Sequence, residues 1–323
     1  MKAAVLHAFG EAPRYAEFPD PLPGPGDAEI EVRAVALENF DRAVASGTHY
    51  ASRRQLPSLP AVLGHGGIGV RDDGVLIGFG GLRPPYGAMA ERAVAPRAYG
   101  APIPEGVDPA VAAALPSSAL TALLPLRYGA ALEAGETVLV QGATGFSGRL
   151  AVQVAKLLGA GRVVGSGRDA SSLRSLPDLG ADAVVDLTRA DVEVVDAFRR
   201  EAGDEGYGVV LDALWGHPTE LLLRALTPDQ VSFADHHTRL IQVGVSAGQA
   251  ITLLADALRT SGLHLQGAGE GLTQETVVEG TAQVWDWIRE GRLEADLERV
   301  PLRDVERAWG RRDLHGRRLV IVP

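Results

Sequence analysis

The sequence of 323 residues contains no cysteine. Disulfide bonds, thiolate nucleophiles and cysteine-based zinc sites are therefore excluded. Dense runs of lysine or arginine are also missing, and the formal net charge is -10. An acidic chain without such a run is not expected to bind nucleic acid or an anionic membrane surface.

Long apolar runs are scarce as well. We find none that reaches the roughly 18 residues of a membrane span. The first residues, Met1 to Leu6, lack the longer apolar core of a signal peptide, so we expect a cytoplasmic location. Hydrophobic residues make up 46% and charged residues 22%, which is typical of a soluble globular protein. A chain of this length favours two domains.

Residues 1 to about 115 carry short β-like runs broken by proline and glycine, which predicts strands and turns. These runs are Ala28–Leu37, Gly74–Phe79 and Ala88–Ala95. Between the first two, Asn39–Ala45 is a candidate short helix with Asn39 as its N-cap.

From about Glu136 the pattern changes, and short apolar runs alternate with helical patterns. The predicted strands are Thr137–Val140, Arg162–Gly165, Ala183–Val185, Val209–Leu211 and Leu240–Val243. The predicted helices are Gly145–Leu158, Ser171–Leu179, Val192–Ala202 and Pro218–Leu226. This alternation predicts an α/β fold with a doubly wound parallel sheet. A further helix, Thr276–Arg289, and a last strand, Arg318–Val322, follow.

We therefore predict a Rossmann domain over residues 116–257 and a β-rich domain formed by residues 1–115 with 258–323. The last strand should return to the first domain.

Three glycines, Gly142, Gly145 and Gly148, follow the first of the parallel strands at intervals of three. A strand-turn-helix places free N–H groups and the positive end of the helix dipole at the edge of the sheet. In the dinucleotide fingerprint, Gly145 would let a pyrophosphate approach and Gly148 would let the helix lie close on the strand. The predicted cofactor-binding turn comprises Gly142, Ala143, Thr144, Gly145, Phe146, Ser147 and Gly148. A packing turn without a ligand is the alternative.

The end of the second parallel strand indicates which dinucleotide binds. Arg168 lies 20 residues after Gly148, near where an NAD site usually has a carboxylate, and Ser166 precedes it by two. A guanidinium can pair with a ribose 2′-phosphate, so the pattern favours NADPH. In the alternative, Arg168 is a surface arginine and Asp169 binds the ribose, although Asp169 could equally cap the next helix.

The whole chain resembles the medium-chain dehydrogenase/reductase superfamily, and most of all its zinc-independent quinone oxidoreductase branch. Asn39 with Ser46-Gly-Thr is similar to the Asn…Ser-Gly-x-Tyr segment of that branch. Residues Val62–Gly69 resemble the Gly-His-Glu region of zinc alcohol dehydrogenases. Further counterparts are Met1–Val5, Tyr86–Glu91, Leu179–Val184 and Gly316–Val320. The resemblance implies a GroES-like catalytic domain beside the Rossmann domain. It also favours a homodimer, in which edge strands near Leu240 and His264 could extend the sheet.

The chain departs from the zinc-binding members of this superfamily. Gly66 replaces the glutamate and cysteine is absent, so His65 remains alone, whereas a catalytic zinc needs three protein ligands. We therefore expect no metal and interpret His65 as a hydrogen-bonded histidine in a turn. The cluster Asp235-His236-His237 is a weak metal candidate. The segment Val70–Gly78 is shorter than is usual in the family, which leaves one cleft wall undefined.

The resemblance implies NADPH-dependent, zinc-independent hydride transfer to quinones or other α,β-unsaturated carbonyls. An enoyl-thioester reductase and a non-catalytic NADPH-binding sensor are the alternatives. By the same resemblance, the residues expected near the nicotinamide are Thr121, Leu214, Val243, Gly244 and Val245, and Arg317 is expected either at the cofactor or exposed. On the substrate side, Asn39 would orient a carbonyl or the nicotinamide, and Tyr50 would donate a hydrogen bond or a proton to an enolate oxygen. A helix cap for Asn39 and a packing role for Tyr50 stay open.

Overall fold

The computed structural model describes residues 1–227 and 236–323. The chain divides into two compact units, Met1–Pro116 with Asp296–Pro323, and Ser117–Ala295. The strands are β1 (Lys2–Leu6), β2 (Arg14–Glu17), β3 (Asp27–Ala36), β4 (Ala61–Val62), β5 (Gly66–Arg71), β6 (Leu76–Gly80), β7 (Arg92–Pro96), β8 (Ala101–Pro102), β9 (Thr137–Gln141), β10 (Arg162–Gly167), β11 (Ala183–Asp186), β12 (Val209–Asp212), β13 (Thr238–Gln242), β14 (Leu263–Gly267), β15 (Leu297–Pro301) and β16 (Arg318–Val322). The α-helices are α1 (Asn39–Ala45), α2 (Ser52–Gln55), α3 (Pro109–Leu124), α4 (Phe146–Leu157), α5 (Ala170–Ser175), α6 (Asp191–Ala202), α7 (Gly216–Leu226), α8 (Ala255–Thr260), α9 (Gln274–Arg289) and α10 (Val305–Trp309).

The first unit is built on β-sheets. A seven-stranded sheet has the order β15-β16-β3-β5-β6-β8, with β7 also paired to β3, and β2-β1-β4 form a smaller sheet. Along β3, Ile30 and Val32 are buried whereas the intervening Glu31 is exposed, because side chains alternate between the two faces of a strand. The last strand, β16, pairs with β3, which confirms that the chain end returns to the first domain.

The segment Val70–Gly78 is a tight hairpin in this unit. It joins β5 to β6, and its turn includes Gly74 with a φ of +83°, a left-handed conformation that favours glycine.

The second unit contains a parallel sheet of six strands in the order β11-β10-β9-β12-β13-β14. In chain order this is 3-2-1-4-5-6, the doubly wound Rossmann arrangement. The predicted α/β fold class is therefore confirmed. Along β9, Val138 and Leu139 are fully buried, as expected for strands covered on both faces. Strand order reverses between β9 and β12, and ligands of such sheets bind where the strands end at this point.

The predicted domain boundary near residue 258 is wrong. Residues up to Ala295 belong to the second unit. Strand β14 continues the parallel sheet beside β13, and a Cβ on Gly280 of α9 would lie 2.8 Å from Leu124 of α3. Leu240 lies on β13, between β12 and β14, so of the two strands predicted as edges only β14, which carries His264, is one.

Helix α3 was not predicted from the sequence. Within the described residues, the helical stretch Pro109–Gly129 is the one long and apolar enough to cross a membrane, by length and composition only. Its most apolar window has a mean hydropathy of 1.5 and is 61% buried inside the protein, as core helices also are. The expectation that no apolar stretch has this length was wrong. Pro116, Ser117 and Ser118 interrupt the apolar residues, but the mean hydropathy of the stretch stays as high as that of a membrane span.

Candidate functional site

The glycine turn lies between β9 and α4. Gly142 follows the strand with a φ of +85°, which favours glycine. The backbone N–H groups of Gly142 and Ala143 both donate to the carbonyl of Ser166, at 3.1 and 2.8 Å, and tie the turn to β10. Gly145 is the N-cap of α4, and its N–H donates to the Gly142 carbonyl at 3.1 Å. The first turn of α4 thus starts at the carboxyl edge of the sheet, where the positive end of the helix dipole lies.

Gly145 and Gly148 are glycines for different physical reasons. A Cβ on Gly148 would lie 2.2 Å from the Gly142 carbonyl oxygen and 2.7 Å from the Cα of Ala143, so close packing requires glycine there. A Cβ on Gly145 would meet only the Gly142 oxygen, at an ordinary 3.5 Å. Packing within the chain therefore does not require glycine at 145. A phosphate that approaches the start of α4 would require it.

The other residues of the predicted turn divide by exposure. Ala143 and Phe146 are buried, whereas Thr144 and Ser147 are half-buried. Thr144 packs against the end of β10, where a Cβ on Gly167 would lie 2.3 Å from its Cγ2. Thr144 therefore holds the turn against β10 together with the two backbone hydrogen bonds to Ser166.

Arg168 follows β10 and is exposed, and within the described residues it has no hydrogen bond or ion pair. Asp169 is the N-cap of α5, where its Oδ1 accepts the Ser172 N–H at 2.7 Å and the Ser171 hydroxyl at 2.6 Å. The capping role considered for Asp169 is therefore the one the structure shows.

Ser166, predicted to contact the cofactor, does not present its side chain at the edge of the sheet. Its side chain is fully buried, and its hydroxyl donates to Oε1 of the buried Gln141 at 3.4 Å. Successive side chains of a strand point to opposite faces, and that of Ser166 lies on a covered face of β10. It is therefore not presented to a ribose 2′-phosphate, and only the Ser166 carbonyl contributes, by holding the glycine turn.

A buried carboxylate organises the loop that follows β12. Asp212 Oδ1 accepts the backbone N–H groups of Leu214 and Trp215 at 2.9 and 3.0 Å. Its Oδ2 accepts the Thr219 hydroxyl at 2.6 Å. Burial raises the pKa of Asp212, although these three hydrogen bonds oppose the shift. The loop holds the Leu214 side chain over the glycine turn, 3.1 Å from where a Cβ on Gly142 would lie.

The loop after β13 is tied to the same aspartate. The N–H groups of Val243 and Gly244 donate to the Asp212 carbonyl at 2.8 and 3.1 Å. The Val243 N–H is thus already used, and the expectation that it would bind a carboxamide applies only to its carbonyl. Val245 is 38% exposed at this edge. On α3, Thr121 is exposed and its hydroxyl donates to the Ser118 carbonyl at 2.7 Å.

The substrate-side candidates belong to the first unit. Asn39 is exposed and begins α1, but the N-cap is Glu38, so the predicted capping role was one residue out of place. Tyr50 is 92% exposed, and its ring lies 4.2 Å from that of His49. Arg317 is exposed and donates to Oε2 of Glu298 at 3.0 Å.

The same unit contains a cavity of about 590 Å³ that Asp41 and His65 line. Oδ1 of Asp41 lies 3.2 Å from Nδ1 of His65, and this hydrogen bond raises the pKa of His65 against the opposing effect of burial. Asp41 was not predicted as a site residue, because in the sequence it is one polar residue of a short predicted helix. Its position in the helix could have indicated its role, since an aspartate at the third helical residue can accept the N–H of the N-cap residue.

No group of three histidine, aspartate or glutamate side chains in residues 1–227 and 236–323 is arranged to hold a metal ion. Asp235, from the candidate Asp235-His236-His237, lies outside the described residues.

Comparison with known proteins places this arrangement in a family. A family model described as zinc-binding dehydrogenase matches residues 148–284. The phthioceranic/hydroxyphthioceranic acid synthase of Mycobacterium bovis is 30% identical over 220 residues, which are 67% of this chain and 10% of the synthase. The chain thus spans about a tenth of the length of the first curated relatives it matches.

Two relatives match over their full length. The probable NADPH-dependent quinone reductase tdiC of Emericella nidulans is 26% identical, and the match covers 100% of both chains. The quinone oxidoreductase of Thermus thermophilus, solved also in complex with NADPH, is 27% identical with a TM-score of 0.77, again over 100% of both chains. The chain belongs to the medium-chain dehydrogenase/reductase superfamily, in its quinone oxidoreductase-like branch.

Proposed function

We propose that the chain is an NADPH-dependent, zinc-independent reductase of quinones or other α,β-unsaturated carbonyl compounds. The observation that carries this proposal is Gly145, a glycine that packing does not require, at the start of α4 and at the switch point of the sheet. The names of the full-length relatives support it, since one is described as a probable NADPH-dependent quinone reductase and the other was solved with NADPH. When bound, NADPH would supply a hydride to the substrate.

The cofactor would be held by residues of the second unit. In the turn Gly142–Gly148, Gly145 would let the pyrophosphate approach the positive end of the α4 dipole, while the amides of Gly142 and Ala143 hold the turn to β10. Arg168 would pair with the 2′-phosphate, because its guanidinium is exposed and has no other partner among the described residues. The groups proposed around the nicotinamide are Thr121, Leu214, the Val243 carbonyl, Gly244 and Val245. Arg317 is engaged by Glu298, and a cofactor contact would compete with that ion pair.

On the substrate side, the chain must place hydrogen-bond donors where negative charge develops on the substrate oxygen. We propose that Asn39 and Tyr50 contact the substrate, since both are exposed and neither is committed to a cap or a core position. A conjugated carbonyl suits a site without a Lewis acid, because the charge that forms is delocalised.

The choice of NADPH over NADH is testable through Arg168. We expect wild-type protein to bind NADPH at least about tenfold more tightly than NADH, or about 1.4 kcal/mol. Replacing Arg168 by alanine should remove most of this preference and leave NADH binding unchanged, because only the 2′-phosphate loses its counter-ion. Fluorescence titration with both cofactors measures the effect.

Arg189→Ala is the matched control for this experiment. Arg189 is an exposed arginine that follows the next strand, β11, and pairs with Asp186 at 3.3 Å. Its removal should leave both affinities unchanged. Equal affinity of the wild-type protein for NADPH and NADH would refute the role given to Arg168.

The reaction itself is tested by following NADPH oxidation with quinones, enones, aldehydes and enoyl thioesters, each with and without a chelator. We expect turnover with quinones or enones that the chelator does not change. A preference for enoyl thioesters would favour the enoyl reductase alternative, and tight NADPH binding without turnover would favour a sensor. Loss of activity with the chelator would contradict a metal-free reaction.

We also propose a homodimer, because β14 is an outer strand of the parallel sheet and its Leu265 is 40% exposed. An unpaired strand edge is a site at which a second copy can extend the sheet. Light scattering of the purified protein measures its mass in solution. The cytoplasmic location stays a prediction.

A further inference from the structure

The cavity of the first unit contains a histidine whose orientation is fixed by a buried carboxylate. The Asp41 side chain is only 3% exposed, and its Oδ2 accepts the Glu38 backbone N–H at 2.8 Å. Its Oδ1 faces Nδ1 of His65 at 3.2 Å. Because a carboxylate can only accept, Nδ1 carries the proton of this hydrogen bond. The Phe40 ring meets the imidazole edge to face, with centroids 5.2 Å apart, so the ring is held in one orientation.

The other nitrogen of this histidine is available to a ligand. Nε2 of His65 lies 3.9 Å from Oε2 of Glu38, beyond hydrogen-bond distance, and has no hydrogen-bond partner in the part of the chain that the structure describes. His65 is 43% exposed, so the imidazole can also exchange protons with water. The cavity it lines has a volume of about 590 Å³, within the usual range for small-molecule sites. Its remaining walls are mostly apolar and aromatic and include Phe40, Leu56, Leu63, Leu82, Tyr86 and Tyr99.

We propose that His65 is the catalytic proton donor, giving the proton on Nε2 to the carbonyl oxygen of a quinone or enone seated in this cavity, and that Asp41 is its positioning residue. This inference rests on the proposed function, and it goes further by naming the acid and the place of the substrate oxygen. It gives Tyr50 no proton to transfer, because Tyr50 is 92% exposed and no carboxylate or other buried group orients it within the described residues.

The proton and electrons balance in this step. With NADPH bound, hydride would add to the far carbon of the substrate, the C=C π pair would form a new double bond to the carbonyl carbon, and the C=O π pair would move to the carbonyl oxygen. The Nε2–H bond of His65 then breaks and an O–H bond forms. The imidazole keeps the electron pair and becomes neutral, with its remaining proton on Nδ1 facing Asp41. Water restores the proton lost from His65, and the enol product tautomerises in water, to the saturated ketone from an enone and to the hydroquinone from a quinone.

The charges around His65 favour the protonated form that this role needs. The titratable groups that face it are Asp41 and Glu38, both of which raise its pKa, while burial lowers it. Arg318 on β16 is buried and interacts electrostatically with both carboxylates. The net direction is a raised pKa, so the donor is present below that value and is lost as the pH rises through it. We therefore expect kcat to fall on the alkaline side of its pH profile.

The test compares His65→Asn, Asp41→Asn and Tyr50→Phe with wild-type protein in NADPH oxidation by a quinone and an enone. We expect His65→Asn to lower kcat about 100-fold, as the loss of a general acid typically does, and to abolish the alkaline fall. Asp41→Asn should keep the donor and move the alkaline fall to lower pH, because the charge that raises the histidine pKa is gone. Tyr50→Phe removes a proposed substrate contact, so it should change KM but keep the alkaline fall in kcat. NADPH affinity should be unchanged in all three.

Two further measurements make the result decisive. His217→Asn is the control, since His217 is an exposed histidine of the second unit that also pairs with a carboxylate, Asp191, at 3.0 Å. It should leave kcat unchanged. An NMR titration of the imidazole nitrogens should show the pKa of His65 falling in Asp41→Asn, with or without cofactor.

The outcomes separate the two proposals. If His65→Asn keeps the wild-type kcat and its alkaline fall, or if Tyr50→Phe removes that fall, His65 is not the donor. If wild-type protein turns over no quinone or enone, the proposed function has failed, whatever the NMR titration shows. If His65→Asn does not fold, His65→Gln replaces it, and if neither folds the profile of Asp41→Asn decides, since an unmoved profile would overturn the proposal.

Discussion

Alanine at position 145 will leave the protein folded and unable to bind NADPH well, whereas alanine at position 148 will destabilise the fold. A Cβ on Gly145 meets nothing closer than 3.5 Å, so stability should change little, while the methyl group would stand where the pyrophosphate must approach. We expect NADPH affinity to fall at least about tenfold, or about 1.4 kcal/mol. Fluorescence titration measures the affinity.

The Gly148→Ala substitution should act on folding instead. Its Cβ would lie 2.2 Å from a backbone carbonyl oxygen, which cannot move without distorting the turn. Overpacking of this kind costs about 1–3 kcal/mol, occasionally more, and we expect the upper end of that range. Urea unfolding measures the loss of stability.

Gly310→Ala is the matched control for both variants. Gly310 follows α10 with a φ of -79°, and a Cβ there meets nothing within 4 Å. It should change neither stability nor affinity. If Gly145→Ala binds NADPH as tightly as wild-type protein, the turn is a packing turn only, and the observation that carries the proposed function is lost.

The sequence was most informative where its pattern is local. Apolar runs such as Val209–Leu211 predicted the parallel strands within a residue or two, because a strand buried on both faces must be apolar throughout. The glycine turn was equally readable, since a left-handed φ at Gly142 and a close approach at Gly148 each require glycine. Local stereochemistry alone determines these features.

What the sequence could not show depends on contacts between distant segments. Asp41 and His65 are 24 residues apart, and only the packing of α1 beside the start of β5 brings them together. Ser166 was misjudged because one residue decides which side of a strand a side chain faces. The boundary near residue 258 was misplaced because β14 joins the parallel sheet through pairing with β13, and its own pattern, with His264 and Leu265 exposed, resembles that of a surface strand.

The Asp212 carboxylate provides the second large effect that we expect. Replacing Asp212 by alanine leaves the N–H groups of Leu214 and Trp215 and the Thr219 hydroxyl without their acceptor. Each unsatisfied buried donor costs roughly 1–3 kcal/mol, so we expect the free energy of unfolding to fall by about 3 kcal/mol or more. Trp215 holds a φ of +56°, a conformation that the loop would abandon without these bonds. NADPH affinity should fall with it, because Leu214 would leave the glycine turn.

Asp212→Asn is the isosteric control and carries a prediction about pH. Its oxygen can still accept the two backbone amides, and its NH₂ can donate to the Thr219 hydroxyl, so it should keep most of the stability. Because burial raises the folded pKa of Asp212, ionisation of this group costs stability as the pH rises through its unfolded value of about 3.9 towards the folded one. The asparagine variant should lack that contribution and lose less stability than wild-type protein over this range, which urea unfolding at several pH values measures.

Equal stability of Asp212→Ala and Asp212→Asn at neutral pH would mean that the carboxylate does not hold the loop, and the placement of Leu214 over the glycine turn would then need another cause.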